Sequence, residues 1–241
     1  MAAPYVVPAL TRHTATVIMA HGLGDSGAGW MMIAQNWRRR GLFNEVSFVF
    51  PNAPSIPISI NMGMSMPGWF DVKTLSPALS MEEFLERQDE PGILKSRDYF
   101  NTLIKAEIDK GVKPSRIVFG GFSQGGAMAL FSGLTSKEKL GGIYALSCWL
   151  PLANKIKDYL TEDWPNKKTP IFQAHGDEDM VVKFGFGEHS AEFMKELGCD
   201  VDFRKYNGLG HSGDPLEMED LKNFLGRLLP DEGGEASTAS S

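Results

Sequence analysis

The chain has 241 residues, 42% of them hydrophobic and 22% charged, with a formal net charge of −6. That length holds one large α/β domain or two small ones around a substantial core, in a composition ordinary for a soluble globular protein. The acidic balance excludes the basic footprint of a nucleic-acid binder, and no nucleic-acid partner is expected. Cys148 and Cys199 make neither a disulfide framework nor a metal-ligand spacing. A secretory leader, an apolar run of membrane-span length and a lipidation motif are all missing from the sequence, so the expected location is the cytoplasm.

Residues 17–20 are apolar and read as a buried strand that exits into His21-Gly22-Leu23-Gly24-Asp25-Ser26-Gly27. A helix follows, with Trp30, Ile33, Ala34 and Trp37 on one face. Arg38-Arg39-Arg40 at its end complements the helix dipole and reads as a solvated terminus. Residues 46–50 form a second strand closed by Pro51, and no charged residue occurs from Val46 to Phe70. Within that interval residues 56–69 lack a regular period and read as an ordered apolar loop, in which Met62, Met64 and Met66 alternate ahead of Trp69. Residues 81–91 are acidic and read as exposed surface. Ser96 is the expected cap of a helix with an apolar stripe of Tyr99, Phe100, Leu103, Ile104 and Ile108, stopped by Gly111.

Residues 117–119 form a short strand that meets a Gly-rich corner, and a helix-forming run follows. Further strands are expected at 142–147 and 170–174, with a mixed polar connection between them. A helix over 187–197 stops at Gly198. Val201 and Phe203 alternate with polar neighbours, which predicts a half-wet strand near a sheet edge. Asp214-Pro215-Leu216-Glu217 opens a last helix whose core face is Leu221, Phe224, Leu225 and Leu228. This alternation predicts an α/β fold, a mostly parallel sheet with helices on both faces, in one domain over residues 1–230. Residues 231–241, rich in Gly, Ser and acid, are expected to be a disordered tail.

Gly121-Phe122-Ser123-Gln124-Gly125 fits G-x-S-x-G at a strand-to-helix corner, the setting in which that pattern presents a nucleophile. Sites in such sheets lie beyond the C-terminal strand ends. Ser123 occupies one exit, Asp177 and Asp179 a later one, and His211 the loop after the last strand, in the order Ser, Asp, His. A serine hydroxyl needs an imidazole to take its proton, and the imidazole needs a carboxylate to fix its tautomer. His211 is the expected base, because His13 and His189 read as surface residues and His21 and His175 as structural ones. Spacing does not choose between Asp177 and Asp179. The oxyanion donors expected are the backbone N–H of Gln124 and that of Leu23 in the early Gly-rich loop.

Together, His21-Gly22-Leu23-Gly24-Asp25-Ser26-Gly27, Pro67-Gly68-Trp69-Phe70-Asp71, Gly120-Gly121-Phe122-Ser123-Gln124-Gly125-Gly126, Leu146-Ser147-Cys148-Trp149-Leu150-Pro151, His175-Gly176-Asp177-Glu178-Asp179 and Gly210-His211-Ser212 resemble the acyl-protein thioesterase/carboxylesterase family of serine hydrolases. The resemblance implies an α/β-hydrolase fold without a large cap domain, Asp179 as the acid, and no metal or organic cofactor. It also implies hydrolysis of long-chain thioesters on S-acylated (palmitoylated) proteins, with lysophospholipids and simple esters as further substrates, in the cytoplasm and also the nucleus. A short-chain carboxylesterase and a non-catalytic hydrolase-fold binding protein are the alternatives. Met180 stands where the family often has proline, and Ala2-Ala3-Pro4 stands where some animal members carry an acylated cysteine, so no membrane anchor is expected and membrane contact would be transient. Met62, Met64, Met66 and Trp69, with Leu75, Trp149 and Leu150, are the expected lining of an acyl groove, since Met adapts to irregular apolar shapes. Nothing in the sequence specifies an oligomeric state.

Overall fold

The structure, a computed structural model, describes residues 2–76 and 78–233. In chain order its elements are β1 (Tyr5–Val7), β2 (Ala15–Ala20), α1 (Gly27–Arg39), β3 (Val46–Phe50), β4 (Ser55–Ile58), β5 (Met64–Pro67), α2 (Met81–Glu86), α3 (Glu90–Asp109), β6 (Ile117–Phe122), α4 (Gln124–Leu134), β7 (Gly142–Leu146), β8 (Pro170–Gly176), α5 (Phe184–Glu196), β9 (Asp200–Tyr206) and α6 (Pro215–Leu228).

The main sheet runs β1-β3-β2-β6-β7-β8-β9, with β1 antiparallel to β3 and every other pair parallel. Strands β2, β3 and β7 are buried along their whole length, as continuous apolar runs are when both sheet faces are covered. On one face Ala34 and Trp37 of α1 join Leu221, Phe224 and Leu225 of α6. On the other, Phe100 and Ile104 of α3, the wholly buried α4 and Met194 of α5 form the larger core. This is the α/β-hydrolase arrangement, and it puts β6 at the middle of the sheet with Ser123 just past its C-terminal end.

Six local expectations change. Residues 56–69 are not an irregular loop: β4 and β5 pair as a hairpin, turning through Met62 at φ 56 and Gly63 at φ 76. Residues 81–91 are not bare surface, because Ser80 and Glu83 form a capping box that starts α2, and α2 buries Phe84 and Leu85. The long helix α3 begins at Asp89, whose carboxylate accepts the Gly92 N–H, while Ser96 sits buried inside it and donates to the Trp69 carbonyl. Arg38 is no solvated terminus; its guanidinium donates to the carbonyls of Phe43, Val46 and Pro8 and so ties α1 to the sheet edge. His13, read as a surface residue, is half-buried, with its Nε2 2.8 Å from Thr16 Oγ1. Of the residues expected to form the tail, Glu232 is held: its N–H donates to Glu45 at 2.8 Å, and its carboxylate lies 3.5–3.7 Å from Arg12, Lys113 and Arg116. Residues 234–241 lie outside the described residues.

Candidate active site

Strand β6 delivers Ser123 and helix α4 begins at the next residue, so the chain must reverse within one residue. Ser123 takes φ 53 and ψ −123, a sparsely populated conformation for a residue with a Cβ, of the kind that clusters at functional sites. The close approach needs glycine at 125, where a Cβ would lie 2.1 Å from the Ala20 carbonyl oxygen. Ser123 itself is 8% exposed.

His211 follows β9 on its own loop. Its Nε2 lies 3.0 Å from Ser123 Oγ and its Nδ1 2.7 Å from Asp179 Oδ2. An ionised carboxylate only accepts, so Nδ1 carries the proton and Nε2 is left to accept from the serine hydroxyl. Asp179 is buried, and its Oδ1 accepts the N–H groups of Val181 and Val182, both at 2.8 Å. Burial alone would raise its pKa, but hydrogen bonds from His175 and His211 outweigh this and hold it well below the usual carboxylate range. Asp177, the alternative acid, turns away. It accepts the Gly208 N–H at 2.7 Å and pairs with Lys205 at 3.3 Å.

Leu23 and Gln124 share a cavity of about 250 Å³ with Ser123 and His211. Among the described residues neither backbone N–H donates to a protein group. For Gln124 the reason is position: it is the first residue of α4, where no carbonyl one turn back exists to receive it. The loop bearing Leu23 is pressed against Ser123, since a Cβ at Gly22 would stand 3.3 Å from Ser123 Cβ.

A family model for phospholipases and carboxylesterases matches residues 1–229. The chain belongs to this α/β-hydrolase family. Among its relatives, acyl-protein thioesterase 1 of Emericella nidulans is 64% identical, the match covering 96% of this chain and 98% of that protein. Acyl-protein thioesterase 1 of Aspergillus fumigatus is 62% identical over 98% and 97% respectively. The crystal structure of Arabidopsis thaliana SOBER1 superposes with a TM-score of 0.81 at 35% identity, over 89% of this chain and 99% of that one. That of Zea mays acyl-protein thioesterase 2 gives 0.80 at 28% identity, over 94% and 98%.

Within this hydrolase the expected acyl-groove residues divide. Leu75 and Trp149 line the cavity, joined by Val72 and Val182, which sequence reading did not single out. Trp69 does not line it; the residue is 2% exposed, packs against His21 and Phe100, and donates its indole N–H to the His21 carbonyl. Leu150 is core as well, at 1% exposure. Met62, Met64 and Met66 belong to the hairpin, outside the cavity, with Met62 90% exposed at the turn. The hairpin base does reach the site, because Gly24 donates its N–H to the Pro67 carbonyl at 2.8 Å.

Three further side chains shape the site, and of these the sequence marked only His175, as a structural residue. The Gln124 side chain accepts the Trp69 N–H at 2.8 Å and donates to the Phe70 carbonyl at 2.7 Å, lashing the segment after the hairpin to the elbow. The ring of Phe122 lies 4.8 Å from that of His211 and 5.2 Å from that of Trp30, walling the imidazole on one side. His175, fully buried, places Nε2 2.9 Å from the Val182 carbonyl and 3.4 Å from Asp179. Its Nδ1 has no partner, so its proton belongs on Nε2, where it braces the loop that carries Asp179.

Proposed function

We propose that this chain is an acyl-protein thioesterase, a serine hydrolase that releases long acyl chains from S-acylated protein cysteines. One observation carries the catalytic reading: the unbroken hydrogen-bonded series Asp179–His211–Ser123, whose histidine and serine line a cavity together with Leu23 and Gln124. Ser123 Oγ attacks the thioester carbonyl as His211 Nε2 takes its proton. The N–H groups of Leu23 and Gln124 face the developing oxyanion, the C–S bond breaks, and the departing thiolate receives the proton from His211. Water, deprotonated by the same imidazole, then cleaves the acyl-serine and frees the fatty acid. The scheme uses protein groups and water alone.

The substrate class is supported by the relatives, whose names are those of acyl-protein thioesterases. The same chemistry serves lysophospholipids and simple esters. Among the described residues no helix is long and apolar enough to cross a membrane, and the proposed setting is the cytoplasm and nucleus, with transient contact at membranes that bear the substrates. The apolar wall of Val72, Leu75, Trp149 and Val182 suits the first part of an acyl chain. A short-chain carboxylesterase is the second reading, favoured by the cavity itself, which at about 250 Å³ is below the common range for ligand pockets. A chain-length series of acyl thioesters separates the two: kcat/KM rising from acetyl to palmitoyl supports the thioesterase, and a maximum at the shortest chains contradicts it.

A further inference from the structure

The cavity beside Ser123 shares two walls, Asp25 and Trp30, with a second and larger groove of about 590 Å³. This groove is cut between α1 and the segment that runs from Gly213 into α6. Trp30, Ile33 and Met218 give it an apolar lining, and Met32, 65% exposed, stands on its lip. Gly213 borders it, where a Cβ would lie in ordinary contact range, 3.7 Å from Met218 and 4.0 Å from Trp30. The hydrolytic scheme uses none of this space.

Its place decides what it would hold. In acyl transfer the histidine returns the serine's proton to the leaving group, so the thiol departs on the His211 side. Gly213 and Asp214, which edge the groove, follow His211 by two and three residues. Val72, Leu75 and Trp149, the wall assigned to the acyl chain, take no part in it. The rim is acidic. Its lining holds Asp25, Asp214 and Glu219 and the cation Arg40. Glu219 is paired with Arg40 at 3.4 Å and with Lys222, which leaves Asp25 and Asp214 as the acids of the lining without an ion-pair partner among the described residues.

We infer that the α1–α6 groove receives the polypeptide around the acylated cysteine, seating an apolar side chain on Ile33 and Met218 and a neighbouring Lys or Arg against Asp25 and Asp214. The inference rests on the thioesterase reading and names the part of the substrate that reading leaves unplaced. An extended segment beside the cysteine would gain apolar burial in the groove and charge complementarity at its edge.

The test uses Met32→Lys/Asn36→Lys, two exposed lip positions outside the catalytic machinery. Three substrates are compared: an S-palmitoyl-cysteinyl peptide flanked by Leu and Lys, the same peptide with Glu for Lys, and S-palmitoyl-N-acetylcysteamine, which has no peptide. We expect KM for the basic peptide to rise about tenfold, KM for the acidic peptide to fall, and kcat for both to hold. The N-acetylcysteamine thioester should stay within about twofold, which also shows that the variant is folded. Equal shifts on all three substrates would mean that the groove takes the acyl chain, and unchanged KM for both peptides would mean that it takes nothing; either result overturns the inference. Binding of the matching S-hexadecyl thioether peptides, which cannot turn over, gives a readout independent of activity. Equal Kd for the basic and acidic peptides there would also overturn it, whereas a protein that binds the basic thioether selectively yet hydrolyses no thioester would defeat the proposed function and leave the groove standing.

Discussion

His211 can act as a base only if its proton sits on Nδ1, and Asp179 is what puts it there. The carboxylate is fixed by two backbone N–H groups on one oxygen and by the imidazole on the other, with His175 behind it. Asp179→Asn keeps the shape and loses the charge; its amide can turn an N–H toward Nδ1, which drives the proton onto Nε2 and blocks acceptance from Ser123. We expect kcat to fall about 10⁴-fold with KM little changed, measured on a palmitoyl thioester. Asp177→Asn, made in parallel, should leave kcat within about twofold, because that carboxylate serves the loop at Gly208. At this scale the sequence was informative about residue type and chain order. Spacing left open the choice between two aspartates two positions apart, since a loop's direction is set by its hydrogen bonds, and only the family resemblance pointed to Asp179. The partners of the Gln124 side chain were equally hidden, lying more than fifty residues away in the chain.

Helix α6 carries a cost in its first turn. Asp214 caps it, accepting the Leu216 N–H at 2.7 Å, and Glu217 in the same turn is fully buried. Burial raises the Glu217 pKa to about 7, with the nearby Asp214 charge adding to the rise, and neither carboxylate oxygen has a hydrogen-bond partner among the described residues. The folded protein therefore holds this proton at pH values where the unfolded chain has released it. Between about pH 4.5 and pH 7 the native state binds more protons than the unfolded state, so stability falls as pH rises through that window. Glu217→Gln copies the protonated form. Urea midpoints should show the variant more stable than the parent at pH 8, by up to about 3 kcal/mol, and nearly equal to it at pH 4.5. An equal difference at both pH values would mean that Glu217 does not titrate there. Long elements such as this one were readable from periodicity and caps. The hairpin β4–β5 was not: each strand has four residues, Pro57 and Pro67 interrupt the ladder signal, and Met carries little strand preference.

For the molecule as a whole, buried apolar strands alternating with amphipathic helices dictate a covered parallel sheet, and such a sheet collects its strand exits along one edge. That is why Ser123, Asp179 and His211, spread over almost ninety positions, could be read as neighbours before any coordinates. Hydrophobicity alone, however, does not separate core from groove. Trp69 and Leu150 went to the interior, Met62 to the surface, and only Leu75 and Trp149 of the expected lining reached the cavity. We propose that Ser123, activated through His211, hydrolyses long-chain acyl thioesters. The most direct test is the rate of free-thiol release from an S-palmitoyl-cysteinyl peptide by the parent protein and by Ser123→Ala. We expect steady turnover by the parent and a loss of about 10⁴-fold or more in the variant, with its urea midpoint little changed. Near-equal rates from the two proteins would contradict it.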